Sequence, residues 1–306
     1  MAVVGPGQRM SVRIDKWLGL NLSPDGDTGL RHGEAAVMRN FRVTADGNLR
    51  TRPGYAALQT LAPGRRVDAL WGGSADGRDV MTALIGGRIL EVAAGAGYSV
   101  LGTGYGAYAH FFGFGGKVYC LTGSQYLVWS GKRGDVFAPV SGYVPIVTTA
   151  TPPAGGGTPL ESVNLLTPQR RQRFSPDGTS TLYKLLDAGI QSVNKVTNGG
   201  AVVPTTGYTV SLTAGTVTFG AAPAGGVPNS VEITYTAAAA PDPVLAQKYS
   251  AVFGGATDAR VWLYGDGGAR VYHSGLDEFG VPTAEYFPVD GEMLVDVDNK
   301  PVTGMV

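Results

Sequence analysis

Arginine and carboxylate side chains, set apart in separate runs, are the residues of this chain whose types and spacing could do chemistry, and that chemistry is charge pairing. Arg31, Arg39, Arg42, Arg50 and Arg52 crowd a short segment whose only acids are Glu34 and Asp46. Asp277, Glu278, Glu285, Asp290, Glu292, Asp296 and Asp298 occupy a second segment that holds no Lys or Arg. Opposite patches on one chain can pair head to tail, and a heterologous contact of that kind closes into a ring when its rotation divides the circle. Complementary charge then sets partner and register more than affinity. The acidic run has a second use, repelling phosphate along a channel so that nucleic acid slides without sticking. Both runs are equally readable as ordinary solvated surface. A third cluster, Arg170, Arg171 and Arg173 around Gln172, offers direct phosphate contact, a seat for a neighbouring protein, or packing beneath a domain.

Bond-making chemistry finds no such support. His32, His110 and His273 have no carboxylate or serine in a recognisable order beside them. Ser74, Ser124 and Ser274 miss the Gly-x-Ser-x-Gly elbow that raises a nucleophile on a strained turn. Gly113-Phe114-Gly115-Gly116-Lys117-Val118 lacks both the first glycine and the Ser or Thr of a phosphate loop, and reads as a hairpin. Ser175-Pro176-Asp177-Gly178-Thr179 is similar to the aspartate box of sialidase propellers, but its glycine falls one place early and no aromatic follows; a simple turn accounts for it. Asp25-Gly26-Asp27 and Asp296-Val297-Asp298-Asn299 could offer oxygens to calcium, yet neither has the central Gly and distal Glu of an EF-hand loop. The expectation is a non-enzyme with no catalytic residue, no cofactor and no metal.

Composition narrows the class. The chain has 306 residues, enough for a core that needs no staples, and Cys120 is its only cysteine, so no intrachain disulfide or cysteine-rich zinc site can form. Synthesis in a reducing cytosol is expected. Lys plus Arg and Asp plus Glu balance at 24 each, so no global field recruits nucleic acid and binding would need a local patch. No apolar run reaches the ~18 residues of a membrane helix, and the N-terminus lacks the order of a secretory signal. Glycine is abundant, 47 residues, where about 7% is usual. Many tight turns between short strands follow.

Those turns organise the chain. Val37 to Tyr55 reads as a basic hairpin about Asp46-Gly47, the dipeptide favoured where both central residues take positive φ. Beyond it, short β-branched and aromatic runs are cut by Gly-Gly: Val67–Trp71 before Gly72-Gly73, Val80–Ile85 before Gly86-Gly87, then Arg88–Val92. The same phrase returns at Ala109–Phe114, Gly115-Gly116, Lys117–Leu121 and Tyr126–Trp129, and again at Ser250–Gly255, Arg260–Gly265 and Arg270–Ser274. Hairpins recurring in this way suggest propeller-like blades, with a sandwich of meanders as the competitor. Pro152–Gly157 and Ala237–Pro243 read as linkers bracketing about seven short strands, which suits an inserted immunoglobulin-like β-sandwich. The expected fold is all-β: an N-terminal arm and basic hairpin over 1–60, blades over 61–150, the sandwich over 158–238, and a return to blades over 241–306.

One stretch carries more than turn chemistry. Asn40-Phe41-Arg42-Val43 through Gly47 to Arg52-Pro53-Gly54-Tyr55 resembles the opening of a family of bacteriophage tail nozzle, tail-hub or "stabilisation" proteins, built around a β-propeller. Asn164-Leu165-Leu166-Thr167-Pro168 and Arg170-Arg171-Gln172-Arg173-Phe174 resemble an insert found in the same family, and the likeness runs over 17–60, 105–175 and 249–306. The resemblance implies a structural subunit of a tailed-phage virion, made in the host cytoplasm and standing in a six-fold ring of copies around the DNA channel. Its implied partners are portal and adapter proteins, tail fibres, and genomic DNA passing without sequence-specific contact; no membrane is implied. It also implies a chain that continues past Val306. Interface residues on this view are Arg39, Arg42, Arg50, Arg52, Arg170, Arg171, Arg173, Asp290, Glu292, Asp296 and Asp298. The alternative from another class is a carbohydrate-binding or glycan-cleaving propeller on a phage or cell surface, which would need exposed aromatics and paired carboxylates on one concave face.

Overall fold

A computed structural model describes residues 13–22, 29–54, 65–93, 97–238, 243–255 and 258–305, and the chain falls into two compact units, Met1–Leu58 and Gln59–Val306. In the first unit, β1 (Gly19–Leu20) and β2 (Glu34–Ala35) pair in parallel, and β3 (Phe41–Val43) and β4 (Leu49–Thr51) form the expected hairpin. Its turn is not the two-residue kind that Asp-Gly signals. Gly47 alone has positive φ (78°), and its N–H donates to Thr44 O at 2.9 Å. The loop is therefore a type I turn closed by a left-handed glycine. The Thr44 hydroxyl accepts from the Asn48 N–H at 3.2 Å and holds this wider loop.

The second unit opens with two four-stranded antiparallel meanders. The first holds β5 (Ala69–Ala75), β6 (Arg78–Ile85), β7 (Arg88–Ala93) and β8 (Gly97–Thr103). The second holds β9 (His110–Phe114), β10 (Lys117–Leu121), β11 (Tyr126–Trp129) and β12 (Ala138–Pro139). Gly86-Gly87 and Gly115-Gly116 make two-residue turns with positive φ at both positions, as their spacing predicts. Gly72-Gly73 does not turn the chain; it lies inside β5, and Asp76-Gly77 makes the turn. The glycine serves Trp71 instead. A Cβ at Gly73 would stand 2.5 Å from the indole, which also lies over Gly113 of the neighbouring sheet.

A two-sheet sandwich follows. Its strands are β13 (Ile146–Thr151), β14 (Thr158–Pro159), β15 (Gln169–Phe174), β16 (Leu182–Lys184), β17 (Ser192–Asn198), β18 (Ala201–Val202), β19 (Tyr208–Ser211), β20 (Thr216–Phe219) and β21 (Val231–Thr236). Six strands form one sheet in the order β14-β13-β15-β21-β17-β18, with β13 and β15 parallel; three form the other in the order β16-β20-β19. The sheets meet through Phe174, Val196, Ile233 and Tyr235 on one side and Tyr183, Val217 and Phe219 on the other. Tyr183 sits edge-on to Phe174 and Phe219, at 5.3 and 5.0 Å between ring centroids. Pro152–Gly157, a linker by composition, is the connection of an antiparallel pair, β13 and β14, so the sandwich takes its first strand from Ile146. Ala237 is buried in this core, whereas 239–242 lie outside the described residues.

The repeated strand pattern then resumes in a third four-stranded meander: β22 (Tyr249–Phe253), β23 (Arg260–Tyr264), β24 (Arg270–His273) and β25 (Glu292–Leu294). The sheet of β9–β12 lies between the other two. Phe111, Val118, Cys120, Leu127 and Trp129 pack on Val80, Leu84, Ile89 and Leu101 of the first meander. The alternating residues Phe112, Tyr119, Leu121 and Tyr126 pack on Val261, Leu263 and Tyr272 of the third. Both faces of the middle sheet are buried, which is why its strands read as unbroken apolar runs. Among the described residues the sheets close into neither a barrel nor a complete propeller.

One buried side chain, in the connection between β14 and β15, joins the segment that leads into the sandwich to the segment that precedes β25 of the third meander. Asn164 donates from Nδ2 to Tyr143 O (2.8 Å) and Glu285 O (2.9 Å), and its Oδ1 accepts from Leu166 N (3.1 Å) and Phe287 N (3.0 Å). All four bonds an amide can make are made. Asn164→Ala strands these backbone groups and is expected to lower unfolding free energy by about 3 kcal/mol, at the cost of about 1–3 kcal/mol for a buried unsatisfied group. Chemical denaturation checks this; a loss under about 1 kcal/mol would mean that water replaces the amide.

Candidate functional site

The arginines of β15 come first, because the sequence singled them out for phosphate. Arg170 Nη1 meets both oxygens of Asp187 at 2.6 Å, and the same carboxylate accepts from Tyr235 OH at 2.6 Å. Burial first, and then Asp187, hold the Tyr235 phenol well above its usual range. Arg171 donates from Nε to Val144 O (2.9 Å), contacts Glu278 (3.2 Å), and lies over the Tyr143 ring. Arg173 pairs with Glu232 (2.8 Å) and also reaches Glu278 (3.1 Å). Between the arginines, Gln172 is fully buried, donating to Thr148 Oγ1 and accepting from Leu186 N. The cluster is thus engaged in internal pairs, Arg170 and Arg173 within the sandwich and Arg171 and Arg173 to Glu278 beyond it. Of its three readings, packing beneath the insert is the one these contacts match.

The three glutamates of the acidic run are met by cations from elsewhere in the chain. Glu278 takes Arg171 and Arg173, Glu285 takes Lys117 Nζ at 2.6 Å together with Tyr119 OH, and Glu292 takes Arg270. Asp277 accepts from Phe279 N and Val281 N, and Asp296 from Asp298 N, all as local turns. Asp298 stands 3.6 Å from Lys300 with both side chains largely in solvent. Asp290 is exposed, in a short 3-10 turn. The three glutamates of the run are thus compensated in space, whereas Asp277, Asp290 and Asp296 have no cationic partner among the described residues.

The hairpin arginines are different. Arg42 and Arg50 are direct cross-strand partners, Arg52 follows two residues on, and Arg39 precedes Asn40, which itself adopts φ 61°. All four are exposed, and none has a side-chain hydrogen bond or ion pair among the described residues.

Of the groups weighed for catalysis, His110 has a neighbour that sequence could not supply. Its Nε2 accepts from Ser250 N at 3.2 Å and lies 2.9 Å from Ser250 Oγ, across 140 residues of chain, linking β9 to β22. Among the described residues no carboxylate reaches the ring's other nitrogen, so the pair has the geometry of an inter-sheet link. Asp177 accepts from Ser180 Oγ (2.6 Å) and from Ser180 and Thr179 N–H, which pull its carboxyl well below the usual range and make the aspartate-box look-alike a closed turn. Asp25-Gly26-Asp27 falls outside the described residues. No group of three or more His, Cys, Asp or Glu among the described residues is arranged to hold a metal, and no described helix is long and apolar enough to cross a membrane. Compared with known proteins, the chain matches no family model, no curated protein and no solved structure.

Burial lowers the pKa of His110 below its ordinary 6.5, so the unfolded chain binds the proton more readily than the folded one. The stability His110 contributes is complete above pH 6.5 and is lost as pH falls through the depressed pKa, where Nε2 can no longer accept from Ser250. Melting temperatures taken downward from neutral pH should fall, and His110→Gln should flatten that limb; an identical acid limb in the variant would assign it to other groups.

Proposed function

We propose that this chain is a structural component of a tailed-phage virion, a ring subunit of the tail nozzle or hub around the DNA channel. On this reading the three four-stranded sheets are propeller-like blades, and β13–β21 form an immunoglobulin-like sandwich inserted between the second and third. The resemblance at Asn40–Tyr55 supplies the family, the six-fold order, the portal, adapter and fibre partners, the passing DNA and the virion location.

One observation carries the assembly role. The third meander packs Val261, Leu263 and Tyr272 on the middle sheet, but its opposite face has no covering sheet among the described residues. There Phe253, Val295 and Met293 are 71%, 59% and 47% exposed, and they border a cavity of about 450 Å³ with Ala251, Trp262 and Met305. The Trp262 indole N–H is buried there without a partner. Exposed apolar side chains gathered on one uncovered face support an interaction site there. Its lining includes no carboxylate, which favours assembly over a glycan-cleaving site.

Sedimentation and negative-stain microscopy of the purified chain test this reading. Self-assembly into rings or defined oligomers is expected, and Phe253→Asp combined with Val295→Asp should return a monomer with unchanged β circular dichroism. A native chain that stays monomeric over a wide concentration range would overturn it.

A further inference from the structure

The arginines left unpaired in the first unit carry an inference separate from the assembly reading. We infer that the β3–β4 ribbon binds the phosphate backbone of duplex nucleic acid.

Charge is segregated onto this unit. Over Met1–Leu58 the sequence holds eight Lys and Arg against five carboxylates, in a chain whose totals are equal. Two of those acids are engaged elsewhere: Asp15 with Arg13, and Glu34 with Asn21 and the Arg31 N–H. Asp46 sits on the turn.

The ribbon then aims its cations outward. Cross-strand partners share a face, and residues two apart along a strand share it too, so Arg42, Arg50 and Arg52 project together. On the alternate face Val43 and Leu49 are half-buried, while Phe41 and Thr51 are exposed. Like charges directly opposite destabilise a hairpin. This pair persists with no counter-ion among the described residues, whereas Arg78, Arg170, Arg171, Arg173, Arg260 and Arg270 all have a carboxylate partner. An external anion would relieve the repulsion.

Polyphosphate fits that face better than an acidic protein does. Guanidinium groups match phosphate through paired N–H donors. Arg50 and Arg52 are separated by two strand residues, about 6.7 Å, with Arg42 about 5 Å across, so the pair along the strand spans about two phosphate steps of about 3.4 Å rise each. A protein interface, by contrast, is built on a buried apolar or aromatic centre. None of the three positions on this face supplies one. A two-stranded ribbon is also of a size that the major groove of a duplex admits.

Fluorescence anisotropy of a labelled mixed-sequence duplex, titrated with the full chain over a salt series, tests the assignment. Binding should weaken linearly in log salt, and the triple variant Arg42→Gln, Arg50→Gln, Arg52→Gln should flatten the slope by up to about 2.7, at about 0.9 per lost phosphate contact, with at least about a tenfold loss at low salt. The variant should melt no lower than the native chain and should assemble as the native chain does. Absence of duplex binding at low salt, or a variant with the native slope, overturns the inference. A variant that loses self-association while keeping its duplex affinity makes the ribbon a protein contact and overturns it equally. Failure of the assembly reading leaves the duplex titration unaffected.

Discussion

The amide of Asn164 is the constraint on which the second unit depends. The entry to the sandwich, its β14–β15 connection and the segment before β25 meet as irregular backbone, whose polar groups have no regular ladder to satisfy them. Tyr143 N donates to Glu285 O (2.7 Å), Leu165 N to Phe287 O (2.8 Å), and Val289 N to Val163 O (2.9 Å). Asn164 fills the remaining positions of this braid from its buried centre. Around it, Tyr286 OH donates to Ser162 O and Tyr126 OH to Ala284 O, so the aromatic core of the middle sheet is tied to the same crossing. The packing of the middle and third meanders and the seating of the sandwich thus share one knot of hydrogen bonds.

Charge reinforces that seating without supplying much of the stability. The pairs around Arg170, Arg171 and Arg173 are partly buried, where desolvation offsets most of the Coulombic gain. What they add is direction. Glu278 accepts from two arginines that stand on one face of β15, so rotating the sandwich about that strand would break both contacts together.

Much of this architecture was legible in the sequence, because its signals are local. Gly-Gly pairs between β-branched runs located two-residue turns, and the threefold phrase located three meanders. Where a local cue had two physical meanings, the wrong one was easy to choose. Gly72-Gly73 looked like another turn, but Gly73 makes room for an indole two residues away. Pro152–Gly157 had linker composition, which a hairpin connection between β13 and β14 shares. β25 lay hidden in the acidic run because its three residues, Glu292 to Leu294, carry no β-branched side chain. The site was less legible for a related reason. Charge pairing in a β-rich chain is non-local, and Lys117 reaches Glu285 across 168 residues, a partnership that no scan along the chain displays.

Cys120 has a consequence of its own. The only thiol of the chain is wholly enclosed between the first two meanders, and burial pushes its pKa far above the ordinary 9.0. Thiolate is the form that oxidises or exchanges, so this sulfur is chemically silent while those sheets stay closed. The folded chain would therefore keep one covalent state in reducing and oxidising surroundings alike, with no bridge to gain or lose between them.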